Sequence, residues 1–119
     1  MTNTTIEQEI QAAGKNAPRV KPSDVELAIA QECYFTAEQG VFGATRARSG
    51  VPALSLLTIC VLVMRNGFTV TGESACASPE NFDADIGKKI AREKAVDKVW
   101  PLLGYQLRDQ LAKQAGEGA

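Results

Sequence analysis

Residues 54–64 (LSLLTICVLVM) are apolar almost without a break. A half-solvated strand alternates apolar and polar positions, so this run predicts a strand buried on both faces. A second run, residues 68–76 (FTVTGESAC), follows across Asn66-Gly67. Asn-Gly between two such runs is a strong hairpin signal, because both residues accept the positive φ of a type I′ turn, and the two runs should pair antiparallel. Upstream, Ser23-Asp24 reads as a helix start, and Val25, Ala28, Ile29, Glu32 and Cys33 put mostly apolar groups on one face, which predicts a helix over 24–38. Residues 40–52 hold three glycines, a proline and the arginines Arg46 and Arg48, and read as a ligand-facing loop. Downstream, Ser78-Pro79 offers a cap and a first helical residue, with Asp83 and Asp85 where the helix dipole favours negative charge. Phe82, Ile86, Ile90 and Val99 trace the apolar face of that helix; Pro101 breaks or kinks it after Trp100; Leu103, Leu107 and Leu111 mark a last helix over 101–114.

Residues 1–22 are polar, with prolines at 18 and 22, and predict a flexible arm or a short frayed helix ahead of a single ligand-binding domain over 23–115. Two strands alone are marginally stable and expose both edges. The pattern therefore demands either a further strand from residues 34–47 or a second chain, and a homo-oligomer is the expectation. The fold class is α+β: an antiparallel β-hairpin or small sheet packed with an N-terminal helix and two C-terminal helices, in an oligomer.

Charge and composition narrow the chemistry. With 13 basic and 14 acidic residues in 119, the chain has no basic field for bulk nucleic acid. Histidine is absent, which removes the commonest general base and metal ligand, so no catalytic residue, metal or cofactor is expected. Cys33, Cys60 and Cys76 are odd in number and widely spaced, and read as small buried hydrophobes in a reducing compartment. The N-terminus lacks a basic-then-apolar leader pattern, and the 54–64 run is too short to span a bilayer. The expectation is a cytoplasmic protein with no membrane partner.

The densest polar chemistry lies at one strand-to-helix junction, SPENFD. The block NGFTVTGESACASPENFDADIGKKIAREKAVDKVWPLLGYQLR resembles a family of small tailed-phage proteins that includes the first class of Thoeris anti-defence proteins, and about half the chain takes part. The resemblance implies a sponge acting in the infected bacterial cell: a multimer that binds a cyclic ADP-ribose signal and holds it without cleavage. It also implies cyclic di- or trinucleotides as further ligands at a separate site.

Such a ligand presents a pyrophosphate, two riboses and an adenine. On the resemblance, Asn81 and Asp83 would read base and ribose edges with Thr71 beside them, and Phe82 would stack. Arg46, Lys98 and Arg108, with the amides near 78–82, would meet the phosphates. The plainer readings stand beside these: Asn81 and Asp83 as helix caps, Phe82 as a packing residue, and the cations as a solvated surface. Two other classes remain open. One is a protein-binding inhibitor of a host enzyme. The other is a signal-degrading enzyme, which would have to use a carboxylate such as Glu73 or Asp83 as its base.

Overall fold

The computed structural model describes residues 3–15 and 17–116, so Met1, Thr2 and Asn16 of the predicted arm lie outside it. The chain forms two compact units, residues 1–28 with 99–119, and residues 29–98.

The central unit is built on a three-stranded antiparallel sheet, β1 (Ile29–Thr36), β2 (Leu57–Met64) and β3 (Thr69–Ala75), in that order. The hairpin is the one the sequence predicts. Its turn differs: only Gly67 takes positive φ (89°), Gly67 N–H donates to Met64 O (2.9 Å) and Met64 N–H to Phe68 O (2.8 Å). This is a three-residue loop ending in a left-handed glycine, and Asn66 instead accepts the Phe68 N–H on its side chain.

β1 replaces the second half of the predicted 24–38 helix. That helix, α2, stops at Ala28 (Pro22–Ala28). From Ile29 the chain pairs residue for residue with β2, Tyr34 opposite Cys60 and Phe35 opposite Ile59. An apolar central strand needs hydrogen-bonding neighbours on both sides, and that tertiary demand outweighs the weak helical spacing. The third strand thus comes from this chain, slightly upstream of the 34–47 region. The predicted loop over 40–52 begins as a helix, α3 (Ala37–Thr45). Thr36 and Gln39 cap it reciprocally, Gln39 N–H donating to Thr36 Oγ1 (3.1 Å) and Thr36 N–H to Gln39 Oε1 (2.8 Å). A capping box offsets the two helical glycines, Gly40 and Gly43. A short 3₁₀ turn (Pro52–Leu56) leads into β2.

The two predicted C-terminal helices are one, α4 (Ala84–Gln114), which runs through Pro101. Pro101 and Asp97, whose carbonyl loses its donor, are both exposed, so water can satisfy that carbonyl and the helix continues. Its first residue is also later than predicted. Ser78 precedes only a 3₁₀ turn (Pro79–Asn81), and the cap of α4 is Asp83.

α4 meets the sheet through small residues. Gly87, Ala91 and Ala95 are buried at four-residue spacing, while Ile86 (54% exposed) and Ile90 (39%) point outward, contrary to the face drawn from Phe82, Ile86 and Ile90. The reason is distance. A Cβ on Gly72 of β3 would run into the Ala91 carbonyl oxygen and the Ala95 nitrogen, so helix and strand touch backbone to backbone. Thr58, Cys60, Leu62, Met64, Val70 and Gly72 lie beneath this face. Arg92 of α4 reaches β1, its Nε 2.9 Å from Glu32 Oε2, and the Tyr34 hydroxyl donates to the other oxygen of the same carboxylate (3.0 Å). The Arg92 hydrogen bond holds the Glu32 carboxyl below its usual range.

α3 covers part of the opposite face, where the Phe35 ring lies under Gly40. The rest of that face, Cys33, Val61, Val63, Thr69 and Thr71, has no helix of this unit over it. Its central valines are half-buried and the flanking side chains exposed, so β2 is fully buried on one face only. The cysteines are free thiols; Cys60 is buried, but Cys33 is exposed because its β1 position faces this open side.

The other unit contains α1 (Asn3–Ala12), α2 and the C-terminal part of α4. Arg19 Nη2 lies 2.6 Å from Glu7 Oε2 of α1, and Arg19 also donates to Lys15 O (2.9 Å). Val25 and Val99 are fully buried in it.

The backbone contact at Gly72 predicts a contrast between two glycines. Gly72→Ala should cost about 3 kcal/mol or more, because neither colliding atom can swing away. Gly43→Ala, with open space around its Cβ in α3, should stabilise by about 0.5–1 kcal/mol. Chemical denaturation of both variants checks this; equal stabilities would contradict the close approach.

Candidate functional site

One cleft of about 280 Å³ opens where β2 and β3 end beneath the first two turns of α4. Its walls are apolar, formed by Leu56, Phe82, Ile86 and Ile90, and its rim carries Asn81 and Asp83. The exposed isoleucines and the close helix–sheet contact have one cause. Small residues turn toward the sheet, so the large ones flank it and wall the cleft.

The link from β3 to α4 is fixed by its own hydrogen bonds. Cys76 N–H donates to Leu56 O (3.0 Å), the Cys76 thiol to Ser78 O (3.1 Å), Asn81 N–H to Ser78 O (3.0 Å) and Phe82 N–H to Pro79 O (3.2 Å). The Ser78 hydroxyl donates to Glu80 Oε2 (2.7 Å), and that bond lowers the Glu80 pKa. Asp83 then caps the helix: its Oδ1 accepts from Asp85 N–H (2.9 Å) and Ile86 N–H (3.1 Å), and its carbonyl from Gly87 N–H (2.9 Å). These amides are therefore committed, and the one charged residue lining the cleft is the Asp83 carboxylate. The amides at 81 and 82, read from sequence as a phosphate cradle, are likewise bonded. An anion would find an occupied helix terminus and a negative charge beside it.

Two residues that the sequence reading did not single out form the cleft floor. Thr58 of β2 and Ser74 of β3 are cross-strand partners, 3% and 9% exposed. Neither hydroxyl has a hydrogen-bond partner among the described residues. Thr58 itself takes the space a Gly87 side chain would fill, its Oγ1 2.8 Å from an ideal Cβ there, so strand and helix approach closely here as well. The available signal was alternation: Thr58 shares its inward face with Cys60, Leu62 and Met64, and Ser74 with Val70 and Gly72.

Of the residues proposed from sequence, Asn81, Phe82 and Asp83 line this cleft together. Asn81 is exposed, Phe82 half-buried. Thr71 is on the open face of β3, its hydroxyl 3.4 Å from Glu73 Oε1, and does not line the cleft. Arg46 ends α3 in the left-handed region (φ 63°) and Lys98 is exposed on α4, both away from the cleft lining. Arg108 belongs to the other unit and is exposed there.

A second, wider groove of about 640 Å³ runs along α3 and the loop after it, lined by Phe42, Val51, Arg48 and Glu38 among others. Phe42 and Val51 are each 49% exposed. Glu38 ties the loop to the helix by accepting from the Ser49 N–H (3.0 Å) and hydroxyl, and these bonds lower its pKa. Arg48, not Arg46, is the arginine that this groove presents.

Among the described residues no group of three or more Cys, Asp or Glu side chains could hold a metal ion, and no helix is long and apolar enough to cross a membrane. No curated protein and no solved structure matches the chain. A family model does match, over residues 20–111 of the 119, which takes in all three described strands and every residue that lines the cleft. By that match the chain belongs to the phage protein (N4 Gp49/phage Sf6 gene 66) family.

Proposed function

We propose that this phage protein captures a cyclic ADP-ribose-type signal and holds it uncleaved, which would disarm a Thoeris-like host defence. The observation that carries the reading is the junction cleft, where Asn81, Phe82 and Asp83 meet apolar walls in a space suited to one nucleoside. Phe82 and the isoleucines offer faces for a base, and Asn81 and the free oxygen of Asp83 offer groups for base and ribose edges. The phosphates would remain outside this anion-averse cleft and meet cations such as Arg46 or Lys98. Cyclic di- or trinucleotides, with more phosphates and bases, would need a wider surface than this cleft. The absence of histidine and the commitment of Asp83 to capping favour capture over cleavage.

Incubation with cyclic ADP-ribose should deplete free ligand in proportion to protein, and heating should return it intact by mass spectrometry. Depletion beyond one equivalent per site, or fragments, would make the protein an enzyme.

The two junction polar residues should separate. Asn81→Ala removes an exposed side chain with no hydrogen bond among the described residues, and should weaken capture about three- to tenfold without moving the thermal midpoint. Asp83→Ala removes a cap and should cost about 1 kcal/mol of stability besides any loss of binding. Asn81→Ala with parental affinity would remove the junction from the ligand site.

We further propose a homo-oligomer. The motive is no longer a missing third strand but the open sheet face, where Val61 and Val63 are half-buried with no described helix of their own unit over them. Light scattering at micromolar concentration should give at least a dimer, and Val61→Lys should shift it to monomer with unchanged circular dichroism. A parental monomer at all concentrations would exclude the shared assembly.

A further inference from the structure

We infer that the groove between α3 and the loop after it docks an extended segment of another protein, one that carries a single carboxylate beside a bulky apolar side chain. This docking goes beyond the capture reading and does not rest on it, because the groove shares no lining residue with the junction cleft.

Gly43 points to it first. Of the two glycines inside α3, Gly40 has a packing reason, since a Cβ there would lie 3.4 Å from the Phe35 ring. Gly43 has none: an added Cβ would meet nothing within 4 Å. Glycine inside a helix is destabilising relative to alanine, so α3 carries a cost at Gly43 that its own packing does not require. Gly43 lines the groove, and its missing side chain leaves helix backbone bare in the groove wall, where an occupant can approach closely.

The lining chemistry says what kind of occupant fits. Phe42 and Val51, each 49% exposed, and the exposed Pro52 give an apolar surface. Two charged residues line the groove, Arg48 and Glu38. Both Glu38 oxygens accept from Ser49, whereas no hydrogen bond holds the Arg48 guanidinium among the described residues. An arginine fork flanked by an aromatic and aliphatic side chains suits a carboxylate attached to an apolar segment. With Glu38 ionised in the same groove, Arg48 balances one added carboxylate but not a multiply charged phosphate ligand.

The groove wall is also ordered before anything binds. The Thr45 hydroxyl donates to Val41 O (2.8 Å) and accepts from Ala47 N–H (3.2 Å), Val51 N–H donates to Ser49 Oγ (3.0 Å), and Leu54 N–H to Val51 O (3.1 Å). Such a wall loses little conformational freedom on binding. Its apolar residues stay half exposed around about 640 Å³, so they cover one side of an occupant, as a peptide groove does, and do not enclose a small molecule.

End-blocked glycine–serine peptides carrying one Glu and one Phe, adjacent or a few residues apart, test the groove by NMR titration of the full chain. At least one spacing should shift the Phe42, Gly43 and Val51 amide signals and the Arg48 Nε signal. Replacing its Glu by Gln should weaken binding about tenfold. Gly43→Ala should weaken the same peptide about tenfold while raising the thermal midpoint, a combination that misfolding does not produce. Arg48→Gln should abolish the preference for the Glu peptide over the Gln peptide. No shift with any spacing, or parental affinity in both variants, overturns the inference. Shifts of the same signals by a cyclic dinucleotide and by no peptide overturn it too, and assign the groove to a nucleotide. Cyclic ADP-ribose capture by both variants should match the parent's; capture lost together with peptide binding would make the groove part of the sponge site and overturn its separate role. Peptide bound by a parent chain that captures no cyclic ADP-ribose leaves the groove and removes the sponge.

Discussion

The backbone contact between α4 and β3 at Gly72 governs the central unit. Where a strand carries no side chain, a helix can descend until its own carbonyls and amides meet the sheet, provided its facing residues are small. Gly87, Ala91 and Ala95 meet that condition. Burial here is therefore achieved by proximity rather than by bulk, and the large apolar groups of α4 are displaced to its flanks. Ile86 and Ile90 then become the wall of a cleft instead of the centre of a core. The same geometry brings Arg92 within reach of Glu32 on β1, so one helix fastens both edge strands of the sheet.

The start of α4 sets the chemistry of that cleft. A free helix N-terminus attracts anions, because its unpaired amides and dipole both favour negative charge. Asp83 reverses this. Its carboxylate takes the amides at 85 and 86 and adds a negative charge at the mouth. What remains is a hydrophobic slot with hydroxyls beneath and amide and carboxylate oxygens at the rim. The base and ribose of a nucleotide suit such a slot; its phosphates do not. A phosphate-bearing ligand held here would present its charge outward, to cations elsewhere on this chain or on a second copy. That division links the proposed capture function to the open sheet face.

The sequence by itself determined a good deal. The hairpin was legible because Asn66-Gly67 separates two strand-like runs; the exposed edges of a two-stranded sheet called for either a further strand or a second chain, and the choice of the strand was not legible. The junction at 78–83 was legible as a concentration of polar groups between strand and helix, and the family followed from the same block. These signals are local, and local spacing is what a sequence displays.

Tertiary structure decided the rest. Residues 29–36 carry spacing compatible with a helix, yet they pair with β2 because a central apolar strand must have both neighbours hydrogen-bonded. The buried face of α4 fell on glycine and alanines rather than isoleucines because Gly72, distant in sequence, permits a close approach. Thr58 and Ser74 are ordinary strand residues until register sets them side by side beneath Gly87. Asp83, read from its spacing as either a ligand group or a cap, is a cap in the fold, with one oxygen bound to amides and the other at the rim of the cleft. Each of these outcomes depends on a distance between residues remote along the chain, and such distances exist only once the sheet and helix have packed.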